Sequence, residues 1–532
     1  MSTEKIRLCC WICQTSAKDH GTKPALLVTD TSLLNSNCSV SVTLERPRGI
    51  TLKRMLAQNI NKIIHHQNTI RASYCLLMVL LLSTTVRQTS SLVSRTTKRI
   101  RPFSSSRQHQ LSPVITRIPT HRTMTGQSTD NQQDISKLPT MSTKVQQTLD
   151  PCVVLMKQLI GQYADQWKDK GGIFSLAQGV VYWKPPPEAT QAMQASLLDD
   201  ESSLHLYGPD EGLPELRTAL QDKIATENGL SNHDVLVTVG ANQAYVNAVV
   251  TLLNARDKSV VFAPYYFNHV MALQMTVGDD KVVVGPCTNE GTPDCAWLET
   301  ALREDSSIRM VTIANPGNPT GTNLDRETLQ RIMSLTAQYK VWLVLDCTYE
   351  YFVYGDDTFE GCFEDPHVVH IFSFSKAYAL AGYRCGYLVV SKDAHLFEPL
   401  LKVQDTIPIA PSRISQIAAL ASMQGPEDSR EWVRQKVNTL ESSRTAIFEA
   451  LEPLEQTIGG TGAMYIMAKL PVEDDVECAR ILVRDFGVAV IPGSFCGFPG
   501  WIRVCYSNLP PDLCRQAAGR LAQGIQALAM TE

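Results

Sequence analysis

The stretch VVHIFSFSKAYALAGYRCGYLVV, Val368 to Val390, places two apolar, β-branched runs on either side of a polar centre that holds one lysine, Lys376, and one arginine, Arg384. Each run has the length and composition of a buried strand, so the lysine emerges where a strand ends. Working outward, five further runs of the same kind precede it: VLVTVG from Val235, SVVFAP from Ser259, KVVVGP from Lys281, RMVTIANP from Arg309 and VWLVLD from Val341. Helical stretches lie between several of them, as in DRETLQRIMSLTAQYK from Asp325. Continuously apolar strands separated by helices define an α/β fold with a mainly parallel sheet covered on both faces. In such a sheet ligands sit at the carboxyl ends of the strands, which is where Lys376 is expected.

Beyond Met423 the pattern changes. One amphipathic helix is expected from Glu431 to Leu451, then AMYIMAKLP, a helix, VAVIPG, WIRVCYS and a last helix from Pro511. This describes a smaller α+β domain. A helix is also expected in DPCVVLMKQLIGQYADQWKDKGG, with Asp150 as its cap, Pro151 in its first turn and Gly171 at its end. The chain therefore divides into an extension at 1–147 ending in a polar linker, a large domain at 191–425, and a small domain formed by 148–190 with 426–532.

Charge separates the same regions. Residues 1–129 carry 18 Lys and Arg against 4 Asp and Glu, and the remaining residues carry 31 against 49. An acidic body is a poor nucleic-acid binder, because release of counterions needs a basic face. Between Arg46 and Thr129 there is no acidic residue, a bias like that of an organelle-targeting presequence, for mitochondrion or plastid. A start at Met55 or Met78 makes the leader more usual in length. An extension that targets nothing, on a cytoplasmic protein, is the alternative. The apolar run CLLMVLLL is far short of the roughly 20 residues that cross a bilayer, so no stable membrane insertion is expected. The 15 cysteines have no disulfide or zinc spacing and read as reduced, mostly buried thiols.

Four segments carry chemistry. NPGNPTG, Asn315 to Gly321, forces a turn after a strand and offers the Asn318 amide. VWLVLDCTYEYF ends an apolar strand on Asp346, a carboxylate costly to bury unless paired, with Tyr349 three residues on. An anion so placed suits a protonated pyridine nitrogen. Ser373, Ser375 and Arg384 provide two hydroxyls and a forked cation for a phosphate dianion, and TVGANQAY opens a helix whose Ala241 and Asn242 amides point at the same group. Lys376 needs a depressed pKa, or conversion to an imine, to act as nucleophile or base. A phosphate, a pyridine nitrogen, a phenolic oxygen and an aldehyde belong together in pyridoxal 5'-phosphate, with Lys376 as its Schiff-base anchor.

These segments, with WIRVCYS, resemble the class I, fold type I pyridoxal phosphate aminotransferases from about residue 148 to 530. SLAQGVVYWKPP, YGPDEGLPELR, GANQAYVN, PYYFNHVMALQM and TYEYF more narrowly resemble the plant aromatic aminotransferases that use methionine as amino donor and aromatic 2-oxo acids as acceptors. The resemblance implies a mostly parallel seven-stranded sheet. It implies that Lys376 anchors the cofactor and then moves the substrate proton, that Asp346 pairs with the pyridine nitrogen, and that Asn318 and Tyr349 bond the phenolic oxygen. It gives Ala241, Asn242, Ser373, Ser375 and Arg384 to the phosphate, Tyr266 to ring stacking, and Arg503 and Gly179 to the substrate. Tyr207 would reach the phosphate of a neighbouring subunit, which implies a homodimer. Tyr182 and Trp183 either line a side-chain pocket or pack in the core.

Three functions remain open on sequence: ping-pong amino transfer between an amino acid, methionine or aromatic, and a 2-oxo acid; a carbon-sulfur or cyclising lyase on the same scaffold; and a cofactor-binding regulator. The regulator needs a DNA-binding module, and residues 1–147 have no helix-turn-helix pattern.

Overall fold

All seven apolar runs between Val235 and Val390 fold as strands of one sheet. The computed structural model describes residues 139–199, 203–355, 357–425 and 428–530. The leader, its start codon and the localisation drawn from it lie outside the described residues. In chain order the strands are β1 Phe174–Ser175, β2 His233–Thr238, β3 Lys258–Ala263, β4 Val282–Pro286, β5 Ile308–Ala314, β6 Trp342–Asp346, β7 Val368–Ser373, β8 Gly386–Ser391, β9 Thr457–Gly459, β10 Tyr465–Lys469, β11 Val488–Ala489, β12 Ile491–Pro492 and β13 Trp501–Cys505.

The seven-stranded sheet has the order β2-β8-β7-β6-β5-β3-β4. Strands β7, β6, β5, β3 and β4 pair in parallel, and β8 runs antiparallel to both of its neighbours. Alternate residues feed two separate cores: Val235, Val237, Leu343 and Leu345 lie in one, Leu236, Val344, Val369 and Ile371 in the other. Because both faces are covered, the strands read as unbroken apolar runs rather than as an alternation. Each such side chain contributes roughly 1.5–3 kcal/mol on burial.

The four-stranded sheet, β12-β13-β10-β9, is antiparallel. VAVIPG is two short strands, not one. Its first half, β11, pairs in parallel with β1, tying the 170s to the C-terminal region, while its second half, β12, joins β13. Three further expectations are corrected. The first long helix is Cys152–Trp167 with Pro151 as N-cap and no side-chain cap, since a proline ring carries no acceptor; the Val154 amide donates to the Pro151 carbonyl instead. Asp150 therefore does not cap, although Gly171, in the left-handed region, does close the turn that follows. A five-residue helix, Thr143–Gln147, occupies part of the polar linker. The helix expected from Glu431 to Leu451 is two helices, Ser429–Asn438 and Glu441–Leu451. At the break the Thr439 hydroxyl donates to the Lys436 carbonyl, the backbone competition that makes threonine a poor interior helix residue.

Two buried histidines flank β8. His233 opens β2 and His370 lies on β7, with ring centroids 6.2 Å apart. His370 Nε2 accepts from the Phe363 amide, whereas its Nδ1 and both His233 nitrogens have no hydrogen-bond partner among the described residues. Burial holds the His370 pKa down to about 3 and lowers that of His233. Among the described residues all ten cysteines are free, and no helix is long and apolar enough to cross a membrane.

Candidate active site

The parallel direction of the strands brings their following residues to one edge. Behind β2 come Gly240 and Ala241, behind β3 Tyr266, behind β5 Asn318, behind β6 Asp346 to Tyr349, and behind β7 Ser375 and Lys376. Strand β8 runs the other way and so starts at this edge, just after Arg384.

At one end the helix Ala241–Leu252 begins after Gly240, whose φ is +81°. A Cβ built on Gly240 would stand 2.5 Å from Arg384 Nη2, so the bare glycine admits the guanidinium to the helix N-terminus. Arg384 itself takes φ +55°, a strain of about 1–3 kcal/mol for a residue with a side chain. It donates to the Ala381 carbonyl at 3.0 Å and makes no ion pair among the described residues. Ser373 Oγ accepts from the Ser375 amide at 3.1 Å. The Tyr266 hydroxyl accepts from Asn268 at 2.8 Å and reaches Asn242 Oδ1 at 3.5 Å.

Asp346 is buried. One carboxylate oxygen meets His269 Nε2 at 3.1 Å; the other accepts from the Thr348 hydroxyl at 2.6 Å and the Thr348 amide at 3.1 Å. Burial pushes this carboxyl upward, but the His269 ring and the Thr348 donors outweigh it, and its pKa lies below the ordinary value. The group is thus kept anionic at the end of an apolar strand.

At the other end Arg503, on β13, is only 2% exposed. Its Nη1 donates to Asn318 Oδ1 at 2.9 Å and its Nη2 to the Ala177 carbonyl at 2.7 Å, while Nε has no partner among the described residues. No carboxylate pairs with it among the described residues. A buried charge without a counter-ion costs several kcal/mol, so the site is shaped for an anion from outside. Lys376 Nζ donates to the Gly179 carbonyl at 2.5 Å. Burial, with help from Arg503 and Arg384, lowers its pKa to about 8, so a substantial fraction is neutral amine near pH 7–8. The Tyr349 hydroxyl lies 2.6 Å from that of Tyr465.

Twelve of the thirteen residues singled out in the sequence gather at this edge. Tyr207 does not: it is 81% exposed, and no hydrogen bond or ring contact joins it to the others among the described residues. Trp183 packs in the core, its ring stacked on Phe352 and its Nε1 donating to the Ala377 carbonyl, next to Lys376. The Tyr182 hydroxyl bonds Thr439. Sequence reasoning missed His269, Thr348 and Tyr465. Thr348 had a local signal, since a threonine two residues after an aspartate can close back onto it. His269 and Tyr465 had none.

The match to known proteins covers this same region. Residues 171–521 fit the family model for aminotransferase class I and II. The chain is 45% identical to the aromatic aminotransferase ISS1 of Arabidopsis thaliana over 361 residues, 66% of this chain and 90% of that one. It is 28% identical to the aspartate/prephenate aminotransferase of Thermus thermophilus, over 66% and 90%. Among solved structures, the aspartate aminotransferase of Thermus thermophilus with maleate superposes with a TM-score of 0.65 at 26% identity, covering 73% of this chain and 100% of that one. The chain belongs to the class I and II aminotransferase family and has the fold of its fold type I members. It is a pyridoxal phosphate-dependent aminotransferase acting on amino acids and 2-oxo acids.

The residues present fit that cofactor. The bare face of Gly240 and the unpaired Arg384 suit a phosphate, the buried anion Asp346 suits a protonated ring nitrogen, and Lys376 has a pKa low enough to present a free amine.

Proposed function

We propose that the enzyme transfers amino groups from methionine or aromatic amino acids to aromatic 2-oxo acids such as phenylpyruvate or indole-3-pyruvate, in two half-reactions of a ping-pong cycle. The relation to a protein named an aromatic aminotransferase supports this substrate class. The observation that carries the site assignment is Arg503, a buried fork with no acidic partner among the described residues, suited to take the α-carboxylate that every amino acid and 2-oxo acid shares.

Bound pyridoxal phosphate supplies an aldehyde for exchange with the amino group and a ring that accepts electrons from the α-carbon. Arg384, Ser373, Ser375 and the amides of Ala241 and Asn242 would hold its phosphate, and Asp346 its ring nitrogen. Asn318 and Tyr349 would face its phenolic oxygen, and Tyr266 its ring. Arg503 turns the substrate carboxylate so that the α-hydrogen faces Lys376. Lys376 Nζ would take that proton from the α-carbon and return it two atoms away, on the far side of the shared nitrogen, steadied in the interval by the Gly179 carbonyl. We assign residues 191–425 to the large domain, and 148–190 with 426–532 to the small one; the β1 pairing with β11 supports the second grouping. We also propose a homodimer in which Tyr207 reaches the phosphate end of the other protomer's site. Its exposure, with Leu197, Leu198 and Leu206 exposed nearby in the chain, supports this.

The test is a half-reaction. With no oxo acid present, methionine, phenylalanine, tyrosine, tryptophan, aspartate and alanine are added singly to the holoenzyme. The expected result is loss of the cofactor's starting absorbance with release of one oxo acid per site, fastest for methionine and the aromatics. Aspartate reacting fastest would overturn the substrate class. The Lys376→Ala protein is expected to show no turnover, and an active one would sink the assignment.

A further inference from the structure

Tyr465 belongs to none of the segments that carry the site's chemistry, yet it touches three of the site's residues. It is the first residue of β10 and is 1% exposed. Its hydroxyl lies 2.6 Å from that of Tyr349, with the two rings edge to face at 81°. The Arg503 guanidinium stands 4.4 Å from its ring centroid, a cation against an aromatic face. A Cβ on Gly179 would fall 1.9 Å from its hydroxyl oxygen, so the backbone carbonyl that receives Lys376 is packed directly on Tyr465.

Counting hydrogens fixes the direction of the contact. A phenol has one O–H, and Tyr349 spends its own if it donates to the cofactor's phenolic oxygen. The hydrogen between the two tyrosines must then come from Tyr465. We propose that Tyr465 is a positioning residue for the reaction: its hydroxyl donates to Tyr349, aims the Tyr349 hydrogen at the cofactor and strengthens that donation, while its ring seats Arg503. This rests on the reading that Tyr349 faces the phenolic oxygen. Consecutive hydrogen bonds polarise one another, so loss of the outer donor weakens the inner one. The negative charge on the phenolic oxygen is then less stabilised, and the cofactor linkage holds its proton to higher pH.

The experiment is a pH titration of the bound cofactor's absorbance in the full-length holoenzyme, for the wild type, Tyr465→Phe, Tyr349→Phe and the double variant. Phenylalanine keeps the ring beneath Arg503, and thermal unfolding checks that each variant is folded. Tyr465→Phe is expected to raise the titration midpoint by about 0.5 pH unit, with a larger rise in Tyr349→Phe. The double variant should match Tyr349→Phe alone, because Tyr465 acts only through Tyr349. A wild-type midpoint in Tyr465→Phe beside a shifted Tyr349→Phe overturns the proposal and leaves the site assignment standing, as does a double variant whose shift is the sum of the two. An unshifted midpoint in Tyr349→Phe overturns the placement of Tyr349, and the proposal with it. In steady state, Tyr465→Phe should lower kcat several-fold with KM unchanged, whereas Tyr465→Leu, which removes the ring, should also raise KM.

Discussion

A methyl group at Gly179 has nowhere to go, since the atom it meets, Tyr465 Oη, is fixed by its hydrogen bond to the buried Tyr349 hydroxyl. Gly179→Ala is therefore expected to lower stability by about 1–3 kcal/mol through overpacking. It should also cut kcat/KM at least tenfold, because the Lys376 acceptor moves with it. Tyr465→Phe in the same chain removes the nearest atom and should restore part of the stability, read as the denaturant midpoint of the single and double variants. Lys376, Asp346 and Arg384 were legible because each sits within a few residues of a strand end that the apolar pattern fixes. Tyr465 was not, because its partner Tyr349 is 116 positions away and on another sheet's side of the site. His269 was hidden differently: it lies in the quoted stretch PYYFNHVMALQM, but nothing local says that its ring turns toward the end of β6.

Strands were easier to read than helices. An apolar run between two covered faces has one reading, so β2 to β8 fall within two residues or so of the expected runs. The helix pattern from Glu431 to Leu451 was genuine in amphipathic period and wrong in continuity. Break points depend on a single threonine finding both a backbone carbonyl, at Lys436, and an outside hydroxyl, at Tyr182. The second of these is a tertiary contact from 257 residues away, invisible to any local window. At the first long helix both positions were read one residue too early, since Pro151, expected in the first turn, is itself the cap and the helix starts at Cys152. By contrast the helix at Ala241 was legible from its glycine alone, because only a residue without a Cβ lets both the turn and Arg384 occupy that corner.

As a whole molecule, the chain is expected to sediment at twice its 58.9 kDa mass at micromolar concentration. If Tyr207 serves the other protomer, mixing an inactive Lys376→Ala chain with an inactive Tyr207→Ala chain should regain part of the activity, because a mixed dimer contains one site with neither defect. No recovery in a demonstrated mixed dimer would place Tyr207 outside the site. The histidines beside β8 set a different limit. Folded, His370 stays neutral down to about pH 3 and the pKa of His233 is also lowered by burial, while in the unfolded chain both take up protons near the ordinary value of 6.5. Their contribution to stability is complete above about pH 6.5 and is lost as pH falls from there toward about 3, the folded value of His370. Between those limits His370 steepens the loss by about 1.4 kcal/mol per pH unit, and His233 adds to it in the same direction. Thermal unfolding at pH 7, 6 and 5 should show the decline, and His370→Leu should flatten it; an equally steep variant would clear the pair. Acid therefore reaches this enzyme at two levels, first the Lys376 amine and, lower on the scale, two rings that stay dry only while the sheet is whole.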